Sequence, residues 1–156
     1  MDDVRNVVEW QLDDTLDING WDLKKALQLL HNSNPTLFEW GASPIIYHKT
    51  KAFDELKALL PKYFSQKKSL FHYWHMASMN YREYLKGDMV RIKKYFYVLR
   101  PLLAAKWVVN RNCPPPMKFS ELVEAELPRE LLVEVNKLLE MKKSTSELGY
   151  APKVVL

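Results

Sequence analysis

These 156 residues contain one cysteine, Cys113, so no internal disulfide and no cysteine-built metal centre can form within them. Glycine is nearly as scarce, with four residues, too few to assemble a glycine-rich phosphate loop. No stretch approaches the roughly eighteen uninterrupted apolar residues of a membrane span. The start, Met1-Asp2-Asp3, is acidic and leads into no apolar run of the signal-peptide kind. These absences together fit a reducing cytoplasm. Catalytic signatures are missing too. There is no GxSxG elbow for a serine nucleophile, and Cys113 precedes three prolines with no local base. His72 and His75 stand three apart, but no HExxH pattern exists and His31 and His48 fall in other elements, which argues against a histidine metal site.

What is present is an ordinary globular composition, 47% hydrophobic and 27% charged, with a net charge of +4 that is unevenly spread. Residues 1–22 hold seven acids (Asp2, Asp3, Glu9, Asp13, Asp14, Asp17, Asp22) against Arg5 alone. Residues 57–118 hold thirteen Lys and Arg against two acids, Glu83 and Asp88. Solvated faces on separate elements produce such blocks, and so does a carboxylate cluster beside a phosphate-binding surface.

Periodicity predicts an α+β chain in which helices predominate. Val8-Glu9-Trp10-Gln11 alternates as a strand, and Leu16-Asp17-Ile18 repeats the form, giving a hairpin over 7–19 that turns at Asp13-Asp14. A lone hairpin is marginal. With no further convincing strand in the chain, a partner sheet is expected elsewhere, and the open edge is expected to fray, self-associate or pair with an upstream segment. From Gly20 the period turns helical, with Leu23, Ala26, Leu27 and Leu30 as a stripe. Asn34-Pro35 reads as cap and first turn of a short helix. Helices are then expected at 51–64 (burying Phe53, Leu56, Leu59 and Leu60), 69–86 (Leu70, Trp74, Ala77, Tyr81 and Leu85) and 91–112 (Ile92, Phe96, Leu99 and Leu103). Two more follow Pro114-Pro115-Pro116, near 120–126 and 129–142, the last with Leu131, Leu132, Val135, Leu138 and Leu139. The tail is expected to be loose.

The segment RIKKYFYVLRPLLAAKW carries the most chemistry. With its apolar stripe inward, Lys93, Tyr97 and Arg100 form the adjoining face, with Lys94 beside them. Arg100 lies among Val98, Leu99, Pro101 and Leu102, so its guanidinium needs an anionic partner. Two partners satisfy that need: a fixed carboxylate such as Glu39 or Glu83, or the phosphates of a bound nucleotide or nucleic acid, with tyrosines to stack a base.

Longer strings carry a resemblance. LDINGWDLKKALQLLHNSNPTLFEW, SPIIY, NYREYLKGDMVRIKKYFYVLRPLLAAKW and CPPPMKFSELVEAELP, in that order from about Val7 to Gly149, closely resemble a bacterial and phage family of predicted nucleotidyltransferases. That family lies in the DNA polymerase β superfamily, with RNA-repair-associated members. The resemblance implies a small sheet bearing a Gly-Ser turn, an Asp-x-Asp pair and a third carboxylate, which together hold two divalent ions, normally Mg²⁺. It implies transfer of a nucleotidyl group from a nucleoside triphosphate to an acceptor, an RNA end. Asp17, between Leu16 and Ile18 and just before a helix, matches the third carboxylate as catalytic and metal-binding residue, with Glu9 a weaker rival. Lys93, Lys94, Tyr97 and Arg100 would hold phosphates.

The chain departs from the pattern in having no Gly-Ser turn. Asp2-Asp3 and Asp13-Asp14 are adjacent rather than alternating, so each pair points to opposite faces of a strand. The expectation is a C-terminal part lacking those motifs and inactive alone: a catalytic-sheet remnant at 1–22, linking helices and loop at 23–48, a helical bundle at 49–143 and a loose tail at 144–156. A non-catalytic helical module binding nucleic acid or protein is the alternative.

Overall fold

The computed structural model describes residues 6–13, 15–144 and 150–153. The Asp2-Asp3 pair, Asp14, residues 145–149 of the tail and the final Val154-Val155-Leu156 lie outside the described residues.

The expected hairpin is present. Strand β1 (Val7–Gln11) pairs antiparallel with β2 (Asp17–Trp21), Val7 facing Trp21 and Gln11 facing Asp17. Asp13 shapes the turn by accepting from the N–H groups of Thr15 and Leu16, each at 2.7 Å, and these bonds hold its carboxyl below the usual carboxylate range. β2 continues through Gly20 and Trp21, so the first helix starts at Leu23 and not at Gly20. Its start is set by Asp22, whose side chain accepts from Lys25 N–H at 2.6 Å. Trp21 stacks on Trp40 with centroids 4.0 Å apart, which fastens the hairpin to the helical part.

Helices α1 (Leu23–His31) and α2 (Pro35–Gly41) meet at a tight corner. Ser33 adopts the left-handed conformation there (φ 54°), and its buried hydroxyl accepts from Ser65 N–H at 2.8 Å. Asn34 caps α2 with Pro35 at the first position, as its sequence predicts. In α3 (Lys51–Tyr63) the expected face of Phe53, Leu56, Leu59 and Leu60 is only partly buried, where it meets the short α1 and α2.

The pair α4 (Gln66–Tyr84) and α5 (Ile92–Arg111) makes the main helix interface. In α4 the buried line is Ser69, Tyr73 and Ala77, while Trp74 and Tyr81 are exposed, contrary to the expected stripe. Apolar residues surround this helix, so periodicity alone cannot choose between the adjacent rings of Tyr73 and Trp74. In α5 the expected Ile92, Phe96, Leu99 and Leu103 are buried, and so are Tyr95, Val98, Pro101, Ala104, Ala105 and Val108. This helix is the axis of the molecule. Its first half packs with Leu85, Val90, Val135 and Leu138, and its second half with Tyr73 and Leu122. Asn112, left-handed at φ 50°, ends it, and the prolines lead to α6 (Phe119–Glu126), a 3-10 turn (Arg129–Leu131) and α7 (Leu132–Ser144). Of the apolar residues expected inward in the last helix, Val135 and Leu138 are fully covered and Leu132 is exposed.

A second two-stranded ribbon corrects the expectation that no further strand exists. β3 (Met89–Arg91) pairs antiparallel with β4 (Tyr150–Pro152), Arg91 opposite Tyr150. Three-residue strands are too short to display alternation. Val90 is buried beneath the ribbon, while Met89 and Arg91 belong to its other face.

Burial predicts a sharp contrast in stability. Leu122→Ala, at a position with 0% exposure, should lower the unfolding free energy by about 2–5 kcal/mol. Trp10→Ala, at 59% exposure, should change it by no more than about 0.5 kcal/mol. Urea denaturation of the two variants measures both.

Candidate functional site

Helices α1 to α4 each begin with a side chain that caps the backbone: Asp22, Asn34, Thr50 and Ser65. Helix α5 does not. Arg91 stands at its cap position without a side-chain hydrogen bond, and its first turn carries Lys93 and Lys94 and no acid. Cations at a helix N-terminus oppose the macrodipole, which favours an anion there.

The cations of this turn lie on aromatic rings. Lys94 Nζ is 3.6 Å from the Tyr84 ring centroid and 4.4 Å from that of Tyr97. Arg91 Nε donates to the Tyr150 hydroxyl at 2.8 Å, its guanidinium carbon 5.2 Å from that ring. Among the described residues neither Arg91 nor Lys94 has a carboxylate within ion-pair distance. Glu83, Tyr84, Met89, Arg91, Lys94 and Tyr150 line one open cleft of about 450 Å³. A hydrogen bond to Glu83 pushes the Tyr84 phenol above its ordinary value. The structure thus brings together two of the sequence-predicted residues, Lys94 and Tyr97, and adds Tyr84, Arg91 and Tyr150, which sequence reasoning missed. Arg91 opens the segment RIKKYFYVLRPLLAAKW without being among its candidate residues, and Tyr150 reaches it through the β3–β4 pairing.

Arg100 faces elsewhere. Its Nη1 donates to Glu39 Oε1 of α2 at 3.1 Å, with both side chains mostly covered. The same carboxylate oxygen accepts from the Tyr73 hydroxyl at 2.8 Å. Burial, then the Glu39 charge and hydrogen bond, push the Tyr73 phenol far above its ordinary range, which keeps it a donor to Glu39 at neutral pH. Of the partners open to Arg100 from sequence, the fixed carboxylate Glu39 is in place. His72 packs edge-on to Tyr73, and burial pulls its imidazole below the ordinary value of 6.5.

Asp17 lies on the hairpin, where it accepts from Asn19 Nδ2 at 3.1 Å. The register puts Glu9, Gln11, Asp17 and Asn19 on one face and Val8, Trp10 and Ile18 on the other, the latter face being exposed. Asp17 and Glu9 are therefore diagonal neighbours. Among the described residues, no three His, Cys, Asp or Glu side chains are grouped to hold a metal ion. No helix among them is long and apolar enough to cross a membrane.

Arg100→Ala should lower stability by about 1–3 kcal/mol by leaving Glu39 unpaired, whereas Lys94→Ala should stay within about 0.5 kcal/mol; thermal melts at neutral pH compare them. The depressed His72 carries a second expectation. Its contribution is fully present above 6.5 and declines as pH falls below that value, because the unfolded chain binds the proton more readily. His72→Gln should flatten the fall in melting temperature as the pH is taken below 6.5.

A family model described as RNA repair pathway DNA polymerase beta family matches residues 1–156. The chain is also 41% identical over 152 residues to the uncharacterized protein YcgL of Bacillus subtilis (strain 168), across 96% of this chain. It spans 58% of that relative's length. No solved structure matches it. With the match running over the hairpin, the α4–α5 pair and the basic cleft alike, the chain belongs to the RNA repair pathway DNA polymerase beta family.

Proposed function

We propose that this chain serves nucleotidyl transfer from a nucleoside triphosphate to an RNA end, as the helical part that holds phosphates. The observation that carries the reading is the uncapped, acid-free N-terminus of α5, where Lys94 rests on Tyr84 and Tyr97 with no carboxylate partner among the described residues, in a chain of this family. Lys93, Lys94 and Tyr97 would meet the triphosphate or the acceptor phosphates. Arg100 differs from these three, since it would reach a phosphate only by giving up Glu39.

The family implies divalent ions such as Mg²⁺, which when bound would neutralise the triphosphate and activate the attacking hydroxyl. Asp17, an exposed carboxylate beside Glu9, would supply one oxygen ligand and orient it from the hairpin. Two carboxylates fall short of a two-metal centre, and the Gly-Ser turn and Asp-x-Asp pair are absent from this sequence. No metal-dependent step is therefore assigned to these residues alone. The proposal requires those motifs from outside the 156 residues.

Two measurements test the reading. With labelled nucleoside triphosphate, Mg²⁺ and RNA, the chain alone should give no incorporation; incorporation lost in Asp17→Ala would contradict the division of parts. Lys93→Ala and Lys94→Ala should each weaken triphosphate or RNA binding and lower the slope of log affinity against log salt by up to about one. Unchanged affinity and slope in both would leave a binding module of another kind.

A further inference from the structure

We infer that the cleft bounded by Tyr84, Met89, Arg91, Lys94 and Tyr150 seats a nucleobase, with the attached phosphate against Arg91 and Lys94. The class of ligand rests on the proposed role in nucleotidyl transfer, while the placement of the base rests on the cleft itself. Its volume of about 450 Å³ falls in the range of small-ligand sites. Four elements build it: Tyr84 ends α4, Met89 and Arg91 lie on β3, Lys94 on the first turn of α5, and Tyr150 on β4. The ribbon register aims Arg91 and Tyr150 to the same side, because they face each other across the strands, and Val90 fills the core behind them.

Both cations are held by tyrosines rather than neutralised, so they keep their charge for an incoming phosphate. The tyrosine rings in turn offer π faces, and base–aromatic stacking tolerates any base. Glu83 gives the cleft a direction. Its carboxylate repels a phosphate and accepts from the amino group of a base, so the polar edge of the base faces Glu83 and the phosphate lies toward Arg91 and Lys94. The ligand is a nucleoside phosphate, either free or at the end of an RNA strand.

The test uses the 156-residue chain and two probes: adenosine triphosphate by calorimetry, and a fluorescein-labelled single-stranded octaribonucleotide by anisotropy. Tyr84→Ala and Tyr150→Ala should each weaken binding about tenfold, the loss of one stacked base. Tyr150→Phe keeps the ring and should stay within about threefold of the unsubstituted chain. Loss confined to the triphosphate arm identifies the free nucleotide as ligand, and loss confined to the octamer arm identifies the strand. If both alanine variants, shown folded by circular dichroism, bind both probes normally while Lys94→Ala binds weakly, the base site is refuted and the phosphate reading survives. No binding of either probe by the unsubstituted chain refutes both.

Discussion

The packing of α5 depends on the ion pair between Arg100 and Glu39. Arg100 leaves the helix between buried neighbours, Leu99 and Pro101, and is itself mostly covered, so its charge is met inside the fold. Glu39 meets it at 3.1 Å and also takes the Tyr73 hydroxyl at 2.8 Å. One carboxylate therefore ties α2, α4 and α5 together. The Trp21–Trp40 stack hangs the hairpin on the same short helix, so the position of Asp17 relative to α5 passes through α2 as well. Pairs of this kind add little net stability over an apolar replacement, but they are costly to break from one side, and they fix a register.

Satisfying Arg100 internally separates two kinds of cation along one helix. In the middle of α5 the Arg100 charge is met by Glu39, while the start of the helix carries Arg91, Lys93 and Lys94 with no acid in its first turn. Aromatic rings, which hold cations without cancelling them, line that start. The carboxylates Asp17 and Glu9 sit on a different element with its own polar face. Such a division suits a reaction in which phosphates are gripped at one place and charge is balanced at another.

Much of this was legible in the sequence. Strong periodicity in α5, the Asn34-Pro35 start of α2 and the alternation in β1 each give one answer, and each is found. The need of Arg100 for an anion was also readable, because a guanidinium amid apolar residues is a charge without solvent. Choosing Glu39 over Glu83 was not, since the choice depends on how α2 docks. The inward face of α4 is not readable from periodicity, because Phe71, Tyr73, Trp74, Ala77 and Tyr81 surround it and several stripes are equally apolar. Tyr150 carries no signal in the sequence, because its place beside Arg91 comes from a three-residue strand pairing across 59 residues.

The central claim is that the uncapped start of α5 and its tyrosines are the ligand-gripping surface, with Arg100 serving the fold. Titration of the isotopically labelled chain with a non-hydrolysable nucleoside triphosphate, followed residue by residue through amide chemical shifts, tests it most directly. Shifts should concentrate at Tyr84, β3, Tyr150 and the first turn of α5, with the Arg100 and Glu39 side-chain signals undisturbed. Shifts centred on Arg100 and Glu39, with the α5 start silent, would contradict the account.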